Sequence, residues 1–208
     1  MKATTTQSQE QSVLRLARHR VLLRARDLAE RSLPTVTLTR LVAAGKLDRV
    51  ARGVYSLPDR TLHEHRSLAE VAIRVPRGVV CLLSALRVHD IGTQSPFEVW
   101  LAIPHRMAPP RLDHPKLRVV RMSGAALAQG IIRVSIDGVS VAVFNPAKTI
   151  ADCFKYRNKI GLDVAIEALR EGWRERKANK VTMDRLWHYA AIDRVANVMR
   201  PYLEAIAA

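Results

Sequence analysis

Two acidic residues, Asp90 and Glu98, come nearest to catalytic chemistry in this chain of 208 residues. Metal-dependent nucleases hold divalent ions with an acid and a following Glu-x-Lys pair on adjoining strands, and the lysine supplies a catalytic cation. Here Glu98 is followed by Val99 and Trp100, so a tryptophan stands where the lysine is needed. A metal-dependent nuclease that uses Asp90 and Glu98 is therefore the alternative hypothesis and not the preferred one.

Other catalytic arrangements find less support in the residue spacing. His63 and His65 are two positions apart, so a helix would point them to different sides, and no third ligand with metal-binding spacing lies nearby. His89 and Asp90 follow an apolar segment without a serine or cysteine nucleophile in a recognisable turn. The GxxxxGKS/T and GxGxxG patterns of nucleotide-phosphate loops are absent from the sequence. We therefore predict that the protein is not an enzyme and holds neither a metal nor a cofactor.

A second group of residues suits binding to DNA. The segment from Thr35 to Ala44 is predicted to be a helix with the apolar stripe Leu38, Leu41 and Val42, and Gly45 supplies its left-handed stop. Threonine hydroxyls can reach phosphates or bases, the threonine methyl can touch the thymine methyl, and arginine can grip guanine through two hydrogen bonds. The candidates for DNA contact on this helix are Thr35, Thr37, Thr39 and Arg40.

The residues after this helix predict a small hairpin. Strand-like runs flank the turn at Arg52-Gly53, and Tyr55 shares its run with Val54 and Leu57, which favours a core position for Tyr55 beneath the hairpin. Basic side chains on the turn or on the polar face of such a hairpin would meet phosphates or the adjacent minor groove. These side chains are Lys46, Arg49 and Arg52.

The predicted elements follow the order of a winged helix-turn-helix. Helices are predicted from Gln7 to the basic run at 18–20, over residues 25–32 and from Thr35 to Ala44, with a tight turn before the last helix and the hairpin directly after it. We therefore predict an α+β protein. Its winged helix-turn-helix domain spans residues 1–58, and a mixed α/β domain that ends in helices spans residues 59–208.

Two local signals are clearest in the C-terminal segment. Asp137-Gly138 between apolar runs predicts a hairpin with a type I′ turn, and Asn145-Pro146 predicts the start of a helix. Basic residues within and just after this helix form a possible second surface for DNA or RNA, although a charged, solvated helix face explains them equally well. They are Lys148, Lys155, Arg157 and Lys159.

The net charge favours a polyanionic partner. Lysine and arginine number 34 against 19 acidic residues, which gives a net charge of +15 and a strongly positive field. The N-terminus lacks the apolar core of a secretory signal, and no stretch approaches the roughly 18 apolar residues of a membrane span, so we predict a cytoplasmic protein without membrane contact. Cys81 and Cys153 lie among apolar residues and are predicted to be unpaired thiols.

Three segments together resemble the AbiEi family of antitoxins, the transcriptional regulators of abortive infection systems. The segments are LTRLVAAGKLDRVARGVYSLP, SALRVHDIGTQSPFEVWLAI and VAVFNPAKTIADCFKYRNKIGLDVAIEALRE. The resemblance extends from about residue 10 to residue 172 and is less clear beyond residue 173.

This resemblance implies an N-terminal winged helix that binds inverted repeats in the promoter of its own operon, and a C-terminal domain needed to counter a toxin. The toxins of the family, AbiEii, are similar to nucleotidyltransferases that act on RNA. In such type IV systems the antitoxin and the toxin need not form a complex. The resemblance assigns the recognition helix and the wing to the candidates named above, and the family's basic C-terminal patch to the four basic residues at 148–159.

Overall fold

The structure, a computed structural model, describes residues 2–19, 22–58 and 65–207, without the side chains of residues 2–7, 19 and 51. The chain divides into two compact units. The N-terminal unit contains Met1–Glu70 and Ser135–Val139, and the C-terminal unit contains Val71–Val134 and Ser140–Ala208. Within the described ranges, every helix is too short or too polar to cross a membrane.

The N-terminal unit combines helices with a small antiparallel sheet. Its helices are α1 (Lys2–His19), α2 (Ala25–Ala29), α3 (Val36–Ala43) and the first part of α4 (Arg66–Arg74), and its strands are β1 (Leu23–Arg24), β2 (Asp48–Ala51) and β3 (Val54–Ser56). Strand β3 lies between β1 and β2 and pairs antiparallel with both. This order of helices followed by a hairpin is that of a winged helix-turn-helix, as predicted.

One apolar cluster holds these helices and strands together. Helix α1 contributes Val13 and Ala17, and α3 contributes Leu38 and Leu41. Residues three or four positions apart lie on the same side of a helix, so each of these helices turns one face to the core. Leu47, which follows α3, is buried in the same cluster and closes the space between α3 and the hairpin.

The C-terminal unit is built on a mixed sheet with the strand order β6-β5-β4-β8-β7. The strands are β4 (Val79–Val80), β5 (Val99–Pro104), β6 (Leu117–Met122), β7 (Ile131–Ile136) and β8 (Val139–Phe144), and the division into units assigns the segment Ser135–Val139 at the β7–β8 turn to the N-terminal unit. Strands β5 and β6 are parallel, and β4 runs antiparallel to β5 and parallel to β8. Besides the end of α4, the helices of the C-terminal unit are α5 (Leu82–Val88), α6 (Ala125–Ala128), α7 (Pro146–Lys155), α8 (Arg157–Ile160), α9 (Leu162–Arg174), α10 (Met183–Ile192) and α11 (Ala196–Ala207).

Helix α7 is the centre of the C-terminal unit. It packs against α5, α9, α10 and α11, and its residues from Ala147 to Phe154 are all buried. A helix covered on several sides buries its polar side chains along with its apolar ones, and buried polar groups must then find partners inside the protein. This position of α7 decides the role of the basic residues predicted on it.

The fold is α+β, and the local signals of the C-terminal segment are confirmed. Asn145 caps α7 by accepting a hydrogen bond from the Lys148 backbone N–H at 3.0 Å, with Pro146 as the first helical residue. Asp137 and Gly138 both have the positive φ of a type I′ turn, at 54° and 74°. The apolar run at 80–89 predicts one helix, but Val80 belongs to β4 and α5 begins at Leu82. An apolar run that is buried on all sides carries no periodicity that would separate strand from helix.

Candidate nucleic-acid interface

The tight turn between α2 and α3 fixes the start of the predicted recognition helix. The backbone N–H of Leu33 donates to the Leu28 carbonyl at 2.9 Å, which ends α2 and reverses the chain. The backbone N–H groups of Thr37 and Leu38 then donate to Pro34 at 3.1 Å and to Thr35 at 3.0 Å. These hydrogen bonds join residues three positions apart instead of four, so they tighten the first turn of α3 and fix the direction of its N-terminal end.

Helix α3 separates a buried face from an exposed one. Leu38 and Leu41 are almost fully buried, whereas Val36 keeps 53% of its surface exposed. The exposed residues recur at the spacing of one helix face. Most of their side chains are small or polar, and one of them is basic. They are Thr35, Val36, Thr39, Arg40 and Ala43.

The structure corrects the predicted position of Thr37. This residue is 1% exposed and lies on the same face as Leu38 and Leu41, so the assignment of Thr37 to the DNA-facing surface is wrong. The reason is its spacing, because Thr37 and Leu41 are four positions apart and must share a side of the helix. Exposed Val36 takes the outward place at this end of α3.

The polar groups on the exposed face are available to a ligand. The side chain of Thr35, at the N-cap position of α3, makes no capping hydrogen bond. Thr39 and Arg40 are exposed, and Arg40 forms no ion pair with any residue that the structure describes. Hydroxyl groups in the first turns of a helix and an arginine close to them can contact phosphates and the edges of bases.

The hairpin β2–β3 forms a short wing that follows α3 in the chain. Gly53 adopts a φ of 72° at the turn, and its carbonyl accepts a hydrogen bond from the Ala25 backbone N–H at 2.9 Å, which ties the wing tip to the start of α2. Lys46, Arg49 and Arg52 are all exposed. The three cations therefore hold their charges in solvent.

Tyr55 and its neighbours support the wing from below. Tyr55 pairs with Arg49 across β2–β3 and with Leu23 across β1–β3, and its half-buried ring packs against the apolar cluster of the unit. This is the core position predicted for Tyr55. The strand register shifts between Arg49 and Ala51, as in a β-bulge, and bulges increase the local twist of a hairpin.

The side chain of Arg66 joins α4 to β3 through hydrogen bonds that the sequence did not predict. Arg66, at the start of α4, donates from Nη2 to Ser56 Oγ at 2.8 Å and from Nε to Glu70 Oε1 at 3.2 Å. Ser56 and Glu70 are 1% and 7% exposed, so the two bonds are largely shielded from water. The spacing of Arg66 and Glu70 could have indicated the ion pair, but nothing local connects either residue to Ser56 in β3.

The prediction that Lys148 belongs to an exposed basic surface is wrong. Lys148 is fully buried in α7, and its ammonium group donates to Asp152 and, at 3.0 Å, to Asp193 Oδ2. The ring of Phe144 lies 4.9 Å from the same Nζ. Burial raises the pKa of the Asp152 carboxyl well above its ordinary value, against the opposing attraction of Lys148. Lys148 is therefore a structural cation of the core.

The other three residues of the predicted basic surface lie nearer to solvent. Lys155 retains 31% side-chain exposure and pairs with Asp193 at 3.3 Å, while Arg157 donates to the Phe154 carbonyl at 2.9 Å. Lys159 is exposed, with its Nζ 5.7 Å from the Tyr156 ring centroid. Without Lys148 this candidate surface is reduced to Lys159 and two partly buried residues, and it stays a prediction.

The two acids of the alternative nuclease site have different surroundings. Glu98 Oε1 accepts a hydrogen bond from Arg118 Nε at 2.7 Å, and the Arg118 guanidinium lies 5.5 Å from the Trp100 ring centroid. Asp90 is exposed at the end of α5 with a φ of 52°. In the ranges that the structure describes, no group of three or more histidine, cysteine or acidic residues is placed to hold a metal ion, and His63 lies outside those ranges. Glu98 is thus engaged by an arginine.

Comparison with known proteins agrees with this geometry. Residues 11–58 match the sequence model of the family described as transcriptional regulator, AbiEi antitoxin. No curated protein matches the chain. The crystal structure of the RV2827C protein from Mycobacterium tuberculosis is similar with a TM-score of 0.60 and 14% identity, over 96% of this chain and 80% of that one, which shows a shared fold.

The matched segment contains the features described above: the turn into α3, its exposed polar face and the basic wing. This segment is also the part of the chain whose helix and hairpin follow the order of a winged helix-turn-helix. Residues 11–58 are thus similar in sequence to the AbiEi antitoxins that are described as transcriptional regulators.

Proposed function

We propose that the protein is a repressor that binds inverted repeats in the promoter of its own operon and acts there as an antitoxin. The observation that supports this proposal is the exposed face of α3, with Thr35, Thr39 and Arg40. It is followed by the exposed cations of the wing, inside the segment that matches the AbiEi regulators. In this arrangement α3 enters the major groove and the wing follows the backbone. Because its ligand is chromosomal DNA, we place the protein in the cytoplasm.

The two parts of the interface have different tasks. Arg40 reads base edges, whereas Lys46, Arg49 and Arg52 contact phosphates and fix the register of α3 in the groove. We assign this binding function to residues 1–58 and the antitoxin function to residues 59–208. The antitoxin part counters a nucleotidyltransferase toxin of the same operon, and direct contact with the toxin is not required for this.

Substitutions in α3 and in the wing test the proposal. The variant Arg40→Ala should lose about 1–3 kcal/mol of affinity for the promoter repeat and little for unrelated duplex, while R49A/R52A should weaken binding to both duplexes about equally. Gel shifts with the promoter repeat and a scrambled duplex of equal length measure both effects. Arg133→Ala, which removes an exposed arginine of β7, is the control and should match wild type. Wild-type binding by R49A/R52A would refute the wing assignment.

The toxin half of the proposal has its own test. A neighbouring gene for a nucleotidyltransferase is expected, and co-expression with this protein should restore growth to cells that carry the toxin. The variant R49A/R52A should still restore growth when it is expressed from an unrelated promoter, because we assign toxin antagonism to the other part of the chain. A pull-down of the toxin distinguishes direct contact from indirect antagonism.

A single assay tests the alternative function. We propose that the protein does not cleave nucleic acid, since Glu98 is paired with Arg118. Incubation with DNA or RNA and Mg²⁺ should leave both intact. Cleavage that disappears in the variant Glu98→Ala would overturn this statement and favour the nuclease.

A further inference from the structure

A groove in the C-terminal unit lies where two parallel strands end. Strands β5 and β6 are in register up to the pairs Ile103–Arg121 and Pro104–Met122, so their carboxyl ends meet at one edge of the sheet. The groove at this edge has a volume of about 510 Å³. This volume is in the range of small-ligand pockets.

The polar side of the groove is basic and contains no acid. Arg77, His105 and Arg106 line it and are exposed, and no aspartate or glutamate is among its lining residues. None of the three forms an ion pair with a residue that the structure describes. Arg118 of β6 is by contrast paired with Glu98. Like charges gathered without a counter-ion create a positive potential that a bound anion would relieve.

The loop that carries two of these side chains is held in place. The backbone N–H of Met107 donates to the Pro104 carbonyl at 2.9 Å, which closes a turn around His105 and Arg106. From β6, Arg121 Nη1 donates to the carbonyls of His105 and Met107 at 2.5 and 2.9 Å. The basic groups are therefore presented by a preformed loop, which lowers the entropy cost of binding.

The floor of the groove is apolar. Pro104, Met122 and Leu127 line it, and Met122 is 4% exposed. Methionine is flexible and polarisable and packs well against aromatic rings. Beside this floor, Gly124 has no atom within 4 Å of the position of a Cβ, so the mouth of the groove is open.

We propose that this groove binds a nucleoside phosphate, with the phosphate on Arg77 and Arg106 and the base on the floor formed by Pro104, Met122 and Leu127. Arginine forks bind phosphate oxygens through paired, charge-assisted hydrogen bonds, and an aromatic base covers apolar surface. The ligand is a free mononucleotide or one nucleotide of a single strand, since both present the same chemistry. No residue of α3 or the wing lines the groove, so the nucleotide site can be tested separately from the repressor function.

The test uses the full chain and isothermal titration calorimetry. The probes are AMP, GMP, CMP, UMP, a single-stranded RNA octamer and inorganic phosphate. We expect at least one nucleotide or the octamer to bind, and R77A/R106A to weaken that binding by about tenfold or more, as the loss of two charge-assisted contacts implies. Arg133→Ala removes one exposed arginine outside the groove and should bind as wild type does.

Two further variants keep the interpretation unambiguous. Ser123→Trp fills the groove while it retains every arginine, and it should also abolish binding. R49A/R52A removes the wing charges and should leave nucleotide binding unchanged. Far-ultraviolet circular dichroism confirms that each variant is folded.

The outcomes separate the ligand sources. Binding of mononucleotides assigns the site to a free nucleotide, and binding of the octamer alone assigns it to a strand. The proposal is overturned if no nucleotide or octamer binds, if R77A/R106A and Ser123→Trp bind as wild type does, or if inorganic phosphate binds as tightly as the nucleotides. Loss of octamer binding in R49A/R52A would place that binding on the wing and would overturn the strand assignment.

Discussion

Thr37 and Thr39 show how strongly two similar residues can differ in position. They are two residues apart, which separates them by about 200° around a helix of 3.6 residues per turn. Thr37 is buried with Leu38 and Leu41, while Thr39 is exposed next to Arg40. Residue type alone suggested the same DNA-contacting role for both threonines, whereas their phase on α3 separates them.

Matched substitutions should separate the two threonines. We expect Thr39→Val to weaken binding to the promoter repeat by about 1 kcal/mol, through the loss of one hydroxyl contact. Thr37→Val should leave promoter affinity within about twofold and act on the free energy of unfolding instead, because valine and threonine are not equivalent in a core. Fluorescence anisotropy and urea unfolding of both variants measure the two quantities. A reversed pattern would mean that α3 faces DNA with its other side.

Lys148 also shows that residue type does not determine position, because this charged side chain is buried in the core. Its partner Asp152 is four residues away, but Asp193 is separated from it by 45 positions, and only the tertiary fold brings the three groups together. The number of basic residues along α7 does not reveal that one of them, Lys148, is paired with two buried acidic side chains.

Removal of the Lys148 charge should be costly. Lys148→Met leaves Asp152 and Asp193 buried beside each other, and breaking a buried pair in this way costs about 3–5 kcal/mol of unfolding free energy. Lys159→Met removes an exposed charge from the following segment and should cost about 0.5 kcal/mol or less. Urea titrations of the two variants give the comparison. Equal stability would show that the core cluster contributes little.

Individual elements were predictable where their signals are local. The cap at Asn145-Pro146, the turn at Asp137-Gly138 and the apolar stripe of α3 each depend on a few neighbouring residues, and each appears in the structure. Strand β4 was not predictable, because its two residues Val79 and Val80 lie in an apolar run without periodicity. The hydrogen bond from Arg66 to Ser56 could also not be predicted from the sequence, since it joins residues of two elements that are ten positions apart.

The wing turn gives an element-scale prediction. Gly53 has a φ of 72°, and a Cβ there would lie at an ordinary 3.9 Å from Ala25 Cβ, so backbone conformation and not space restricts the position. Gly53→Val should therefore cost at least 1–2 kcal/mol of stability, about the energy of a left-handed conformation, and should weaken binding to any duplex. Gly53→Asn tolerates this conformation and should remain close to wild type in thermal melts and gel shifts. Equal melting temperatures would show that the turn is not constrained.

At the scale of the whole molecule, the net charge of +15 should make binding to DNA strongly dependent on salt. Each neutralised phosphate releases counterions, and log K should fall linearly with log salt with a slope of about −0.9 per contact. The variant R49A/R52A removes two proposed phosphate contacts and should reduce the magnitude of this slope by about two. Anisotropy titrations over a series of salt concentrations measure it. An unchanged slope would mean that charges elsewhere provide the phosphate contacts.

The cluster of Lys148, Asp152 and Asp193 also bears on how the chain is made. Helix α7 leaves the ribosome well before Asp193, which follows α10, and until then Lys148 lacks one of its two carboxylates. The buried ionic cluster of the C-terminal unit can therefore be completed only after the chain has been synthesised past Asp193. Helices α10 and α11 are in this sense the last part of the interior to be synthesised.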